Sequence, residues 1–223
     1  MFITFENSAG DGSSDSQAVA VLSISDQSAF YRCTFLSYQD TLYAKNGAQF
    51  YRECNIYGTV DFIFGVARAV FQSCNLYSRL PRSSPFIAQK REEGIQSGFV
   101  IQNCTLTVAP GIEKQKSAFE AYLGRPWSNY STVVVMESFL DSIIKPEGWL
   151  SWEGRNTDTL TYREFMNRGP GAATDGRVNW KGFKVVTDPN ELRNFTVGQF
   201  INDKDWLRNT HIPYDSGYIY VYE

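Results

Sequence analysis

An all-β parallel β-helix is the fold class that this 223-residue sequence predicts, on three observations. A short motif recurs at fixed register, each copy reads as a strand, and the spacer between copies varies. The motif is an aromatic or aliphatic residue, two others, Cys, any residue, then Phe, Ile or Leu. Its copies are Phe30-Tyr-Arg-Cys33-Thr-Phe35, Tyr51-Arg-Glu-Cys54-Asn-Ile56, Phe71-Gln-Ser-Cys74-Asn-Leu76 and Ile101-Gln-Asn-Cys104-Thr-Leu106. Val135-Met-Glu-Ser138-Phe-Leu140 repeats it with serine in the cysteine slot, and Ile3-Thr-Phe5 looks like the end of an earlier copy. Successive copies lie 30, 21, 20, 30 and 34 residues apart. A period in this range signals a solenoid, and alternating apolar runs between Gly, Asn, Ser and Asp are strand chemistry rather than a helical pattern.

The elements follow in order. Residues 1–25 hold a first strand, a Gly/Ser/Asp loop from Gly10 to Ser16, and the apolar strand Gln17-Ala-Val-Ala-Val-Leu22. Residues 30–76 carry the three tightest coils. From Ser78 to Gly98 the chain reads as a polar surface loop with Pro81, Pro85 and the charged run Lys90 to Glu93. A second excursion, Ala109 to Phe119, precedes Tyr122-Leu-Gly-Arg125-Pro-Trp127. Insertions in a solenoid collect on one face, so these two are expected to wall the site described next. Residues 131–162 form one or two further coils, and Asp188-Pro-Asn-Glu opens a helix by its proline near the N-terminus. The expected organisation is one domain, 1–223, with coils and loops over 1–187 and a helix/loop tail over 188–223 folding back on the last coil or the flank.

The repeat places two aspartates in register. Asp40 and Asp61 each follow a motif cysteine by seven residues, so they fall on adjacent coils about 4.8 Å apart, the spacing of parallel strands. Two carboxylates so close split their pKa values, one rising and one staying low, and that splitting makes an acid and a nucleophile or base. The plain alternative is a pair of turn residues, but Val60-Asp61-Phe62-Ile63-Phe64 buries an acid in an apolar run, which is costly without a partner or a role.

Composition narrows the rest. A net charge of −3 gives no sign of nucleic-acid binding, and no run of 18 apolar residues suggests a transmembrane helix. The chain opens inside a strand, Met1-Phe-Ile-Thr-Phe5, with no secretory signal, and is expected to begin mid-fold through truncation. Cys33, Cys54, Cys74 and Cys104 read as a core ladder, with disulfides left open; their spacing argues against a metal site. Sequons occur at Asn103, Asn129 and Asn194, Asn103 being a poor acceptor within a repeat strand. A single histidine, His211, in the tail makes a Ser-His-Asp or Cys-His site implausible. That leaves carboxylates, amides, aromatics and an arginine. Gln39 and Gln17 suit an oxyanion, or else serve as ladder hydrogen-bonders. Arg125 sits in a turn suited to gripping a carboxylate, and Trp127 offers a flat face for a sugar or belongs to the core.

Assembled, these segments resemble the plant-type pectin methylesterases (pectinesterases). The resemblance is carried by Gln17-Ala-Val-Ala-Val21, Tyr38-Gln-Asp-Thr-Leu-Tyr43, Gly58-Thr-Val-Asp-Phe-Ile-Phe-Gly65, Tyr122-Leu-Gly-Arg-Pro-Trp127, Gly148-Trp-Leu-Ser-Trp152, Gly169-Pro-Gly-Ala-Ala173 and Asn194-Phe-Thr-Val-Gly-Gln-Phe-Ile201. It runs to about Leu207; the segment ending Gly217-Tyr-Ile-Tyr-Val-Tyr-Glu223 does not look like the family's usual C-terminus. The resemblance implies a right-handed parallel β-helix that removes methyl esters from homogalacturonan (pectin) and releases methanol. It implies Asp61 as nucleophile, Asp40 as proton donor and acceptor, Gln39 and Gln17 as oxyanion donors, and Arg125 orienting Asp61. Substrate contacts would come from Gln17, Arg125, Trp127, Tyr43 and Trp149. It implies no metal or cofactor, a secreted monomer of the cell wall, and a proteinaceous pectinesterase inhibitor as a possible partner.

The sequence departs from the family's pattern at Ser37, where Gly is usual, and at Val66, where Asn is frequent. The family's first coils, with a Gly-x-Tyr-x-Glu segment, precede the region present here. Two rivals stand beside the esterase: a glycosidase or lyase on the same fold, and an inactive pectin-binding form.

Overall fold

The computed structural model describes residues 2–11, 17–80 and 85–220, so part of the expected Gly10–Ser16 loop and Pro81 lie outside the described residues. Every named strand pairs parallel, and the strands form three sheets visited in rotation by each coil. The first sheet runs Thr4–Glu6, Thr34–Leu36, Asn55–Gly58, Asn75–Ser78, Thr105–Val108, Phe139–Leu140. Its register stacks Phe5, Phe35, Ile56, Leu76, Leu106 and Leu140 in one column, the apolar position of the repeat. The second sheet holds Val21–Ser23, Leu42–Ala44, Ile63–Gly65, Ile87–Gln89 and Gly124–Pro126. The third runs from Ser28–Tyr31 through Ala48–Arg52, Arg68–Gln72, Gly98–Gln102, Thr132–Met136 and Thr161–Phe165 to Phe183–Val185.

The column of cysteines lies at the corner between third and first sheets. All four are buried free thiols, and backbone amides donate along the column: Cys54 N to Cys74 Sγ at 3.4 Å, Cys74 N to Cys104 Sγ at 3.3 Å, Cys104 N to Ser138 Oγ at 3.0 Å. Ser138 therefore continues the ladder. The residue before each of these positions turns the corner in the left-handed region: Arg32, Glu53, Ser73, Asn103 and Glu137 have φ of 52°, 53°, 56°, 52° and 56°. Non-glycine residues take this conformation at a cost of about 1–2 kcal/mol, offset here by regular coil-to-coil hydrogen bonds such as Glu53 N to Gln72 O.

Two segments differ from expectation. The loop expected from Ser78 to Gly98 contains a strand, Ile87–Gln89, buried and paired on both sides; three residues between Pro85-Phe86 and the charged run from Lys90 are too few to show a period of two. The strand expected from Gln17 begins only at Val21, although Ala18 and Ala20 already bond Gln39 and Thr41 of the next coil.

The tail covers a flank. Asp188 caps a 3-10 helix, Pro189–Phe195, by accepting from Asn190 N, and two short α-helices follow, Val197–Phe200 and Asp203–Trp206. Leu192, Val197, Ile201, Trp206 and Leu207 bury Phe50, Val70, Val100 and Val134 on the outer face of the third sheet. The unfamiliar C-terminal segment is held by a polar ladder. Gln72 bonds both the N–H and the C=O of Asp215, Gln102 donates to Gly217 O, and Glu137 accepts from Ile219 N and Tyr220 N. Gln72, Gln102 and Glu137 are fully buried, so each of these polar groups requires its partner.

Candidate active site

Asp40 and Asp61 stand at the corner where coils enter the second sheet. Pairing of Leu42 with Ile63 sets them side by side on adjacent coils, about 4.8 Å apart by strand spacing. Both are left-handed, at φ 63° and 49°, and Asp40 N donates to Val60 O while Asp61 N donates to Pro85 O. Asp is among the residues that tolerate this region, and the turn aims both carboxylates outward from the coil.

Arg125 comes from the same sheet two coils on and takes Asp61 in a forked grip. Its Nε lies 3.0 Å and 3.2 Å from the two carboxylate oxygens and its Nη2 lies 2.5 Å from Oδ2. Such bidentate pairs fix orientation as well as charge. Burial pushes the Asp61 carboxyl up, and the Arg125 hydrogen bonds pull against it. Burial, then the neighbouring charge of Asp61, pushes the Asp40 carboxyl up to about 7. The Arg125 fork favours the charged form of Asp61, and that charge is the second cause, after burial, that lifts Asp40.

Gln39 and Gln17 meet across the coil boundary, where Ala18 N donates to Gln39 O at 3.2 Å. Neither amide side chain has a partner among the described residues. Ser37 secures this junction by donating to Ala18 O at 2.6 Å, which gives the departure from glycine a structural purpose.

Beyond the carboxylates the outer face of the second sheet is aromatic. Tyr43 stacks on Phe64 at 4.5 Å between centroids, and Phe64 approaches Trp127 at 6.0 Å. Lys45 lies over Tyr43 and Lys90 over Trp127, at 5.7 Å and 5.3 Å. Arg125 lies 3.9 Å above the ring of Trp152. On the opposite side Arg79 covers Tyr38 and donates to its hydroxyl at 2.9 Å.

A family model described as Pectinesterase matches residues 2–204. The chain belongs to the pectinesterase family. Curated pectinesterases similar to it include Pectinesterase 2 of Citrus sinensis, 49% identical over 219 residues, covering 96% of this chain and 42% of the relative. Probable pectinesterase/pectinesterase inhibitor 39 of Arabidopsis thaliana is 49% identical over 223 residues, covering 97% and 41%. Among solved structures, the pectin methylesterase from carrot superimposes with a TM-score of 0.91 at 46% identity, over 96% of this chain and 68% of that one. The Aspergillus niger pectin methylesterase gives 0.77 at 33% identity, over 91% and 63%. The chain spans about two fifths of the length of these curated pectinesterases.

Of the residues expected at a pectinesterase site, Asp40, Asp61, Arg125, Gln39, Gln17, Tyr43 and Trp127 share this outer face. Trp149 does not. It is 1% exposed, its Nε1–H donates to Glu164 at 3.1 Å, and its ring packs on Tyr162 at 4.4 Å. The bridge between Gly124 and Trp149 turns its side chain into the coil, so it is a core residue rather than a substrate contact. Trp152 takes the surface place, and Phe64 joins it as a member of the aromatic row that the sequence reading left out. The strand alternation from Tyr43 could have found Phe64, the residue one coil above it. The Ala109–Phe119 excursion carries a 3-10 helix, Glu113–Ala118, fastened by Lys116 to the buried Asp141 at 2.5 Å.

Proposed function

We propose that this chain hydrolyses methyl esters of homogalacturonan, giving pectate and methanol. The single observation that carries the reading is Asp61 held in the fork of Arg125 beside an Asp40 whose carboxyl is pushed up to about 7. Asp61 attacks the ester carbonyl, and the carbonyl electron pair moves to oxygen, where the Gln39 and Gln17 amides donate to it. As the tetrahedral intermediate collapses, Asp40 gives its proton to the departing methoxide, releasing methanol and leaving an acyl group on Asp61. Asp40, now a carboxylate, takes a proton from water, which attacks the acyl carbon and frees the pectate carboxylate and Asp61. No metal or cofactor enters these steps.

The aromatic row Tyr43–Phe64–Trp127 offers stacking faces for galacturonate rings, with Lys45 and Lys90 beside it to receive their charges. A relative's name pairs pectinesterase with a pectinesterase inhibitor, which supports a proteinaceous inhibitor as a partner; a secreted, monomeric protein of the cell wall is part of the same proposal. The test is methanol release from highly methylated pectin by the folded chain and by Asp61→Ala. Release by the wild type alone supports the reading. Release of reducing ends without methanol would favour a glycosidase, and no release from a folded chain would favour the inactive pectin-binding form.

A further inference from the structure

We infer a second site for acidic sugar, separate from the carboxylate pair, in a trough at the corner between the second and third sheets. The first outward row of the third sheet is Ala48, Arg68, Gly98, Thr132 and Thr161, in register across five strands. The tail buries the next outward row but leaves this one as the floor of two cavities of about 480 and 420 Å³. They share Arg68, Gln96 and Ser97, so they form one continuous trough between the 91–97 loop and the tail. Volumes of this size suit small ligands or short stretches of polymer.

Arg68 gives the trough its chemistry. Its neighbours in the row are small, Ala48 on one side and Gly98 on the other, so its long side chain is the prominent group on the floor. It is half-buried, yet its guanidinium has no hydrogen-bond or ion-pair partner among the described residues. Arg91 adds a second positive charge on the wall, with its Nε committed to Tyr130 O at 2.8 Å. A half-buried guanidinium without a partner is an open fork for a carboxylate, the geometry arginine serves better than lysine. The other polar lining groups are amides and hydroxyls, which suit sugar hydroxyls, and one carboxylate, Asp26, which accepts from Ala48 N at 2.6 Å.

The position names the ligand class. Val66 and Arg91 line the trough one and two residues beyond the strands Ile63–Gly65 and Ile87–Gln89, whose outer faces belong to the candidate active site. A uronate chain leaving that face turns one corner to reach Arg68. On the functional reading above, the departing polymer is newly rich in carboxylates, so the trough takes de-esterified oligogalacturonate in preference to the methyl ester. The inference rests on that reading for its ligand, but its test does not.

The probe is de-esterified oligogalacturonate, one length able to span both sites and one too short, titrated calorimetrically into wild type and Arg68→Glu. The protein is made in a bacterial host so that Asn194, which lines the trough within a sequon, carries no glycan. The expected result is a weakening of at least about fivefold for the long oligomer. Methanol release from a methylated substrate too short to reach the trough stays unchanged. Equal affinities of the two proteins for the long oligomer would overturn the site. If Arg68→Glu fails to fold, Arg68→Ala, which copies the adjacent Ala48, reads the same comparison. Absence of methanol release from the wild type counts against the esterase reading alone, because the binding comparison is still measured.

Discussion

Two corners of the same coil are built alike and do opposite things. At the corner between third and first sheets, left-handed residues hand the chain into a column of cysteines ending in Ser138; at the entry to the second sheet, left-handed Asp40 and Asp61 are themselves the column. The cysteine column points inward. The neighbouring Cys74 thiol and then burial push Cys54, and burial and then the Cys104 thiol push Cys74, far above the ordinary thiol range, so they stay protonated and inert. The aspartate column points outward, half-exposed at Asp40, and meets Arg125. Coil register supplies proximity at both corners; the chemistry comes from which face the column takes and which cation reaches it.

The comparison breaks most visibly at Asp61. Asp61→Ala should lower methanol release by about 10³-fold or more while leaving the circular dichroism spectrum unchanged; near-native release would remove Asp61 from the reaction. Arg125→Lys keeps the charge but loses the fork, and kcat/KM should fall about 10- to 100-fold. Without the fork Asp61 holds its proton to higher pH, so the acid limb of the pH profile should move upward. An unmoved limb would make Arg125 a substrate contact only.

The two tryptophans sharpen the contrast between faces. Trp149→Ala should cost about 3–5 kcal/mol in denaturant unfolding, since it empties a buried site and removes one of the donors to Glu164, which Arg177 still grips. Trp152→Ala should leave stability within about 1 kcal/mol and instead reduce activity on long pectin.

Asp40 couples the site to stability. An aspartate with a raised folded pKa stabilises the fold below its unfolded value and loses that contribution as pH climbs through about 7. Asp40→Asn should therefore gain about 1–2 kcal/mol over wild type at pH 8, discounted for the exposure of Asp40, and lose the gain at pH 4. The smallest effect belongs to the silent corner. Cys74→Ser copies the slot that Ser138 fills and should cost less than about 1.5 kcal/mol with activity intact.

Much of this was legible in the chain. The column Phe35, Ile56, Leu76, Leu106 and Leu140 is the sequence repeat itself, and the placement of Asp40 beside Asp61 follows from it because parallel register carries sequence spacing directly into space. The turn around Arg125 suggested a grip on some carboxylate, but two intervening excursions of unequal length hid which one, and only the family resemblance pointed to Asp61. Trp149 and Trp152 are separated only by Leu150 and Ser151, and nothing local tells which ring a bridge to Gly124 will draw inside. Ile87–Gln89 was hidden by its shortness, between Pro85 and the charged run from Lys90 to Glu93. The ladder Gln72–Gln102–Glu137 was hidden because its partners, Asp215 to Tyr220, lie far along the chain.

The most direct measurement is a carboxyl carbon-13 NMR titration of the folded chain labelled at aspartate, beside Asp61→Asn. The account predicts one carboxyl titrating at about pH 7 in the wild type, assigned to Asp40 by its loss in Asp40→Asn, and moving down when Asp61 can no longer carry charge. An Asp40 that titrates in the ordinary carboxylate range in both proteins would contradict the claim that coil register makes the two aspartates an acid and a nucleophile.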